Sequence, residues 1–265
     1  MKVDLISDVH LECGGLTLPG GDILVLAGDA CEATNLFNGF HKTRLLDGNS
    51  PDRFLHFFER ECKKYSKVLY VLGNHEHYHG VFTDSKDMLE KSVPDNVFVM
   101  EKETYDAGDV VFVATTLWTN LHKRDPQTMW HVQQNMNDYH VIRYDDYHGR
   151  KLLPDDTVDE HDAAVQWLTD TIDRVPEKQV FVITHHAPTS MSVDARYKHD
   201  SLMNGGYYSD LSNFILDRPQ IKHWVHGHMH LPANYMVGAC EVTANPRGYA
   251  PFEADPKYQP KTIIK

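Results

Sequence analysis

Short apolar runs recur along this chain, each closed by a polar cluster. Residues 3–6, 23–27, 68–72 and 180–183, and the stretch ending in Trp224-Val225, are rich in β-branched residues and read as buried strands. Residues 97–100 and 110–115 read as two further strands, and 235–243 and 261–265 as closing ones. Between them the period changes. Phe54, Phe57, Phe58, Cys62 and Tyr65 recur at helical spacing behind Ser50-Pro51, a cap followed by proline. Thr157-Val158-Asp159-Glu160 matches a capping box, predicting a helix through about Val175 with Ala164, Trp167, Leu168, Ile172 and Val175 inward. Residues 187–216 read as a long loop around Gly205-Gly206, then a helix capped by Ser209. Residues 118–156, with Trp118 and Trp130, are too polar for a core of their own. They read as an insertion or lid on one domain spanning 1–265. This pattern alone says α/β.

Candidate chemistry sits at the ends of the strands. Five apolar runs deliver Asp8-Val9-His10, Gly28-Asp29, Gly73-Asn74-His75-Glu76, His185-His186 and His226-Gly227-His228-Met229-His230. The carboxyl ends of strands are the usual place for a site in an α/β sheet. Imidazole, carboxylate and amide oxygens are metal ligands. A glycine between two histidines lets the backbone bend so that both rings face one point. Each block alone also fits a polar turn; five together do not.

Composition narrows the function classes. A chain of 265 residues with 41% hydrophobic positions can bury a substantial core. A net charge of −12 without a Lys/Arg-rich segment argues against a general nucleic-acid grip. Cys13, Cys31, Cys62 and Cys240 lack C-x-x-C spacing and read as free packing thiols of a reducing compartment. No signal-peptide pattern and no membrane-length apolar run is visible, so the expectation is a soluble, cytoplasmic protein. Of the 18 histidines, His148, His161 and His199 lie in polar surroundings and read as solvated.

The order D-x-H, G-D, G-N-H-E, T-H-H and G-H-x-H, over residues 3–230, resembles the calcineurin-like metallophosphoesterase superfamily. The resemblance implies a four-layer α/β/β/α sandwich of two mixed sheets. It also implies two divalent transition-metal ions, one held by Asp8, His10, Asp29 and His230 and one by Asp29, Asn74, His185 and His228. Asp29 would bridge them. That oxygen and nitrogen set suits manganese, iron, zinc or nickel rather than calcium or magnesium alone, and manganese is the leading expectation. His75 would stand beside the leaving-group oxygen as general acid. Its orienting acid would be Glu32, which reads equally as a solvated loop carboxylate. His186 would turn towards substrate; Arg196 and Arg247 are candidate phosphate contacts, or simply solvated. His226 reads as a strand-end histidine with a backbone hydrogen bond.

Protein Ser/Thr phosphatases carry arginines where this chain has Ala33 and Leu72. The chain therefore looks closer to the small phosphodiesterase-like bacterial and phage branch, as does its segment Asn245-Pro246-Arg247-Gly248-Tyr249. The implied activity is hydrolysis of a nucleotide-type or other small organic phosphodiester by a hydroxide bridging the metals. The alternatives are a phosphomonoesterase, a nuclease of the same superfamily, or a non-catalytic scaffold. The implied partner is a small phosphate ester, with no membrane. Oligomeric state stays open.

Overall fold

The structure, a computed structural model, describes residues 1–37, 53–145 and 149–264. The strands are β1 (Val3–Ile6), β2 (Gly21–Ala27), β3 (Tyr65–Val71), β4 (Val97–Met100), β5 (Glu103–Asp106), β6 (Val110–Ala114), β7 (Gln179–Ile183), β8 (Ile221–His226), β9 (Ala233–Val237), β10 (Cys240–Ala244) and β11 (Lys261–Ile264). They form two mixed sheets, in the orders β11-β1-β2-β3-β4 and β5-β6-β7-β8-β10-β9. Each has a parallel centre, with antiparallel partners at its edges: β11 on β1, β5 on β6 and β9 on β10.

Side-chain alternation explains the layers. Val3, Leu5, Ile23, Val25, Leu69 and Val71 point between the sheets and meet Phe112, Phe181, Ile183 and Val225. Their neighbours Leu24, Leu26, Val68 and Tyr70 point outward onto Phe54, Phe57 and Phe58. On the far side Val113, Val180, Val182 and Trp224 pack against Ala164, Leu168 and Ile172 of the helix Pro154–Ile172. Strands covered on both faces read as unbroken apolar runs, which is why the sequence displays them so clearly. Each fully buried Val, Leu or Ile contributes roughly 1.5–3 kcal/mol. The result is a four-layer α/β/β/α sandwich. Among the described residues no helix is long and apolar enough to cross a membrane.

Several local expectations need correcting. Tyr65 begins β3 instead of continuing the helical segment over residues 53–64. The run 235–243 is a hairpin broken at Gly238, whose φ of +58° turns the chain between β9 and β10. β5 was not anticipated, because an exposed edge strand carries no apolar pattern. The long helix starts at Pro154, where Asp156 accepts from Leu153 N at 2.8 Å, so Thr157 lies inside the first turn. Ser209 caps no helix; its hydroxyl accepts from Asn120 N, and the helix Ser212–Leu216 follows Asp210. His161 is buried, with Nδ1 donating to the Leu117 carbonyl at 3.0 Å. Ser50-Pro51, His148 and Lys265 lie outside the described residues.

Within residues 118–156, Trp118, Leu121, Val132, Met136, Tyr139 and Ile142 share a fourth apolar cluster with Tyr78 and Val158. That packing sets the segment beside the strand ends.

A buried carboxylate ties the loop after β1 to the first helical layer. Glu61 accepts from Leu18 N and from Lys64 Nζ, each at 2.6 Å. Burial alone would raise its pKa, but these donors outweigh burial and hold it below the usual glutamate value. The stability it contributes is therefore present above pH ~4.3 and lost as pH falls through the depressed folded value. Glu61→Ala is expected to cost about 2 kcal/mol in urea unfolding at neutral pH. The difference from wild type should shrink on acidification; a constant difference would sink this account.

Candidate metal centre

Five parallel strands end at one point. β1 delivers Asp8 and His10, β2 Asp29, β3 Asn74, β7 His185, and β8 the run from His226 to His230. A chain leaving a strand normally carries its side chains away. Here Asp8, His10, Asp29, His228 and His230 all have φ between +46° and +67°, so the backbone turns left-handed and brings these side chains back. Such conformations cost free energy for non-glycine residues and cluster at functional sites. Gly28, at φ +82°, faces a second constraint: a Cβ there would lie 2.2 Å from His185 Nδ1. Gly227 serves differently from the bend expected. Its φ is ordinary, but a Cβ would meet Asp8 Oδ2 and the Ala27 carbonyl, both at 2.7 Å.

The donor atoms face one another. Asp8, His10, Asp29 and His230 form one cluster, and Asp29, His185 and His228 another; within each, the candidate ligand atoms lie within 4.8 Å of one another. The amide of Asn74 joins the second. Its Oδ1 is 3.0 Å from His185 Nε2 and 3.1 Å from His228 Nδ1. Asp29 belongs to both. Its Oδ1 accepts from His75 N at 2.9 Å, leaving Oδ2 to face His185 Nε2 at 3.3 Å and His10 Nε2 at 3.9 Å.

Hydrogen bonding on the far side of each ring decides what the near side offers. His10 Nδ1 meets Glu12 Oε1 at 3.1 Å, and His230 Nδ1 meets Glu253 Oε2 at 2.7 Å. A carboxylate only accepts, so both Nδ1 atoms carry protons. In neutral rings the two Nε2 atoms then present lone pairs to each other at 3.0 Å. Likewise His185 Nδ1 donates to the Ala27 carbonyl at 2.9 Å, so Nε2 faces Asn74 Oδ1 and Asp29 Oδ2 with a lone pair in the neutral ring and with a proton in the imidazolium. Acceptors crowded face to face repel unless a cation stands between them. The donor set therefore fits two divalent ions, and carboxylate–histidine pairs of this kind orient metal ligands.

The field at the site agrees. Burial would lower the His185 pKa, yet the Asp29 carboxylate overrides it and the ring is raised to about 10. His75 follows the same balance: burial opposes, Asp29 and Glu12 prevail, and it stands at about 9. Burial pushes Glu12 up, but His10 and His75 draw it down to about 2. A site that stabilises imidazolium this strongly favours a metal cation for the same reason.

The structure brings the seven predicted ligand side chains and His75 into this one centre. The remaining expectations fare differently. Glu32 bonds His79 Nδ1 at 3.0 Å and Asn35 Nδ2 at 2.9 Å; the acid nearest His75 Nδ1 is Glu12, at an ion-pair distance of 3.8 Å. His186 is buried between Trp118 and His228, with Nδ1 3.3 Å from the Thr116 carbonyl. Arg196 is exposed and pairs with Asp194. Arg247 spends its guanidinium on the carbonyls of Val9, Gly14 and Gly15. None of these three lines the cavity over the centre. His226 keeps its backbone bond, Nδ1 to the Gly227 carbonyl at 2.9 Å.

Sequence reasoning overlooked five residues. Glu76 is fully buried, and its carboxylate accepts from the amides of Asp29, Ala30 and Gly73 and from the Tyr70 hydroxyl, fastening two ligand loops together. Asp138, from the segment 118–156, accepts from Asn74 Nδ2 at 2.8 Å and Tyr78 Oη at 2.7 Å, so it holds Asn74 Oδ1 towards the histidines. Glu12, Glu253 and Tyr249 complete the set. Glu12, two places after His10, Glu76, inside G-N-H-E, and Tyr249, closing Asn245-Pro246-Arg247-Gly248-Tyr249, lie in or beside segments the sequence singles out, but nothing local gives their partners.

Above the centre lies a cavity of about 510 Å³. Asp29, Asn74, His75 and His228 form its floor, Met136 and Asp138 one wall, Tyr197 and Tyr207 another.

Comparison with known proteins matches this picture. The calcineurin-like phosphoesterase family profile fits residues 1–232. An uncharacterized protein of Acanthamoeba polyphaga mimivirus is 30% identical over 224 residues, 77% of this chain and 76% of that protein. The crystal structure of phosphopantetheinyl hydrolase from Mycobacterium tuberculosis superposes on 99% of this chain and 95% of its own, with a TM-score of 0.72 at 16% identity, a likeness of fold. The chain belongs to the calcineurin-like phosphoesterase family, and it is a metal-dependent phosphoester hydrolase.

Proposed function

We propose that this chain is a dinuclear metal phosphodiesterase acting on a nucleotide-type or other small organic phosphate. The observation that carries the preference for a diester is the charge of the cavity. Among the described residues that line it there is no lysine or arginine, while Asp138, Asp194, Asp200 and Glu253 do line it. A monoester brings two negative charges, a diester one. With no guanidinium to hold the extra charge, the diester is the better fit. The absence of arginines from the positions of Ala33 and Leu72 leads the same way. The fold is shared with a phosphopantetheinyl hydrolase, which adds that group to the esters worth testing.

Asp8, His10, Asp29 and His230 would hold one ion, and Asp29, Asn74, His185 and His228 the other; the mixed oxygen and nitrogen set suits manganese, iron, zinc or nickel. Two such ions neutralise the phosphoryl oxygens and acidify water. The chain's own residues do the rest. Asp29 keeps one oxygen free for both ligand groups by giving the other to His75 N. His75 lines the cavity with Nε2 4.0 Å from Asp29 Oδ2, placed to give a proton to the departing ester oxygen. Its ring is kept upright by stacking on Tyr78, centroid to centroid 4.1 Å. The four cysteines, all free, fit a reducing, cytoplasmic setting.

Three outcomes are expected. Metal-stripped protein should be inactive on bis-p-nitrophenyl phosphate and regain turnover with Mn²⁺, and Asp29→Asn should lower kcat at least ~10²-fold with loss of bound metal. Full activity of that variant would end the reading. Compared with p-nitrophenyl phosphate, the diester should have the higher kcat/KM; turnover of the monoester alone would make the chain a phosphomonoesterase. Asp138→Ala should weaken metal binding about 10- to 100-fold at one of two sites in titration calorimetry. Unchanged affinity at both sites would mean that Asn74 holds its orientation without it.

A further inference from the structure

The family match ends at residue 232, yet the segment after it returns to the centre. Arg247 N donates to the Ser7 carbonyl at 2.9 Å and Gly248 N to the Asp8 carbonyl at 3.0 Å, beside the first ligand block. The Arg247 guanidinium adds bonds to the carbonyls of Val9, Gly14 and Gly15. Two residues of strap, Arg247 and Gly248, are thus fastened to the loop that carries Asp8 and His10. Glu253 closes it by accepting from Tyr249 N at 3.0 Å and from His230 Nδ1 at 2.7 Å. What this anchoring fixes in space is the side chain of Tyr249. Its ring packs against His10 and His230, with centroids 4.3 Å and 4.6 Å away. Its hydroxyl lies 3.3 Å from His75 Nε2, and both residues line the cavity.

We propose that Tyr249 is a second catalytic residue, whose hydroxyl donates a hydrogen bond to the leaving-group oxygen beside His75. The inference rests on the phosphodiesterase reading above. In hydrolysis the water oxygen bonds to phosphorus and sheds a proton to solvent, the bond from phosphorus to the leaving oxygen breaks, and that oxygen takes a proton from His75, which solvent then reprotonates. Tyr249 shares the developing negative charge without giving up its own proton. A phenol turns its single proton freely about the C–O bond, so the hydroxyl that meets His75 also reaches an ester oxygen entering the cavity. Its position is set in advance by the strap, which is what makes such a donor effective in the transition state. Arg247, expected to grip phosphate, instead anchors the residue that does the touching.

Tyr249→Phe removes only the hydroxyl and keeps the ring on both histidines. The experiment compares this variant with wild type, both loaded with Mn²⁺, on a series of aryl phosphodiesters whose leaving phenols grow more basic. Expected is a kcat about 10²-fold lower, with KM and bound metal unchanged and a deficit that widens with leaving-group basicity. A kcat equal to wild type across the series overturns the proposal, as does a loss of activity matched by a loss of metal, which would make Tyr249 a packing residue. If wild type itself cleaves none of the diesters, the phosphodiesterase reading falls and takes this inference with it. Wild-type turnover alongside an undiminished variant removes only the role of Tyr249.

Discussion

Buried lone pairs that face one another are the constraint on which the rest of the structure depends. His10 and His230 meet Nε2 to Nε2 at 3.0 Å because Glu12 and Glu253 have claimed the opposite ring nitrogens. His185 meets Asn74 and Asp29 because the Ala27 carbonyl has claimed its Nδ1. Such an arrangement is unfavourable without positive charge at its centre. The features that look costly elsewhere follow from it. Five side chains adopt left-handed backbone, and Gly28 and Gly227 leave out a Cβ that would strike His185 and Asp8. Glu76, buried as a carboxylate, finds its compensation in the amides of the loops that must not move.

Three parts of the chain share the centre. The strand ends supply the ligands. The segment 118–156 supplies Asp138, which supports Asn74 and lines the cavity. The C-terminal strap supplies Glu253 for His230 and Tyr249 for the leaving-group side. The cavity walls are acidic and aromatic, so phosphate charge is left to the metals and His75. Substrate choice then falls to groups outside the ligand set, the usual division of labour when one fold serves many reactions.

Local signals made much of this legible in advance. A strand buried on both faces is an unbroken apolar run, so residues 3–6 and 180–183 mark β1 and the core of β7 almost to the residue. A ligand placed at a strand end is a polar residue directly after that run, so the ligand blocks and the two-sheet, four-layer fold they resemble follow from the primary structure. Exposed edge strand β5 and the helix start at Pro154 escaped because neither is announced by apolar period.

What tertiary structure alone decided is which side chain meets which. His10 and His230 are 220 residues apart, and Tyr249 and His75 are 174 apart. Glu12 and Glu32 each sit within a few positions of a ligand block, and nothing local says that the first reaches His10 and His75 while the second turns to His79. The same holds for Arg247, drawn away from phosphate by three carbonyls of a loop it meets only in the folded chain. Residue type and spacing determine the chemistry available to this protein; long-range packing determines its pairing, because a hydrogen bond is formed between atoms brought within reach and the sequence records reach only between near neighbours.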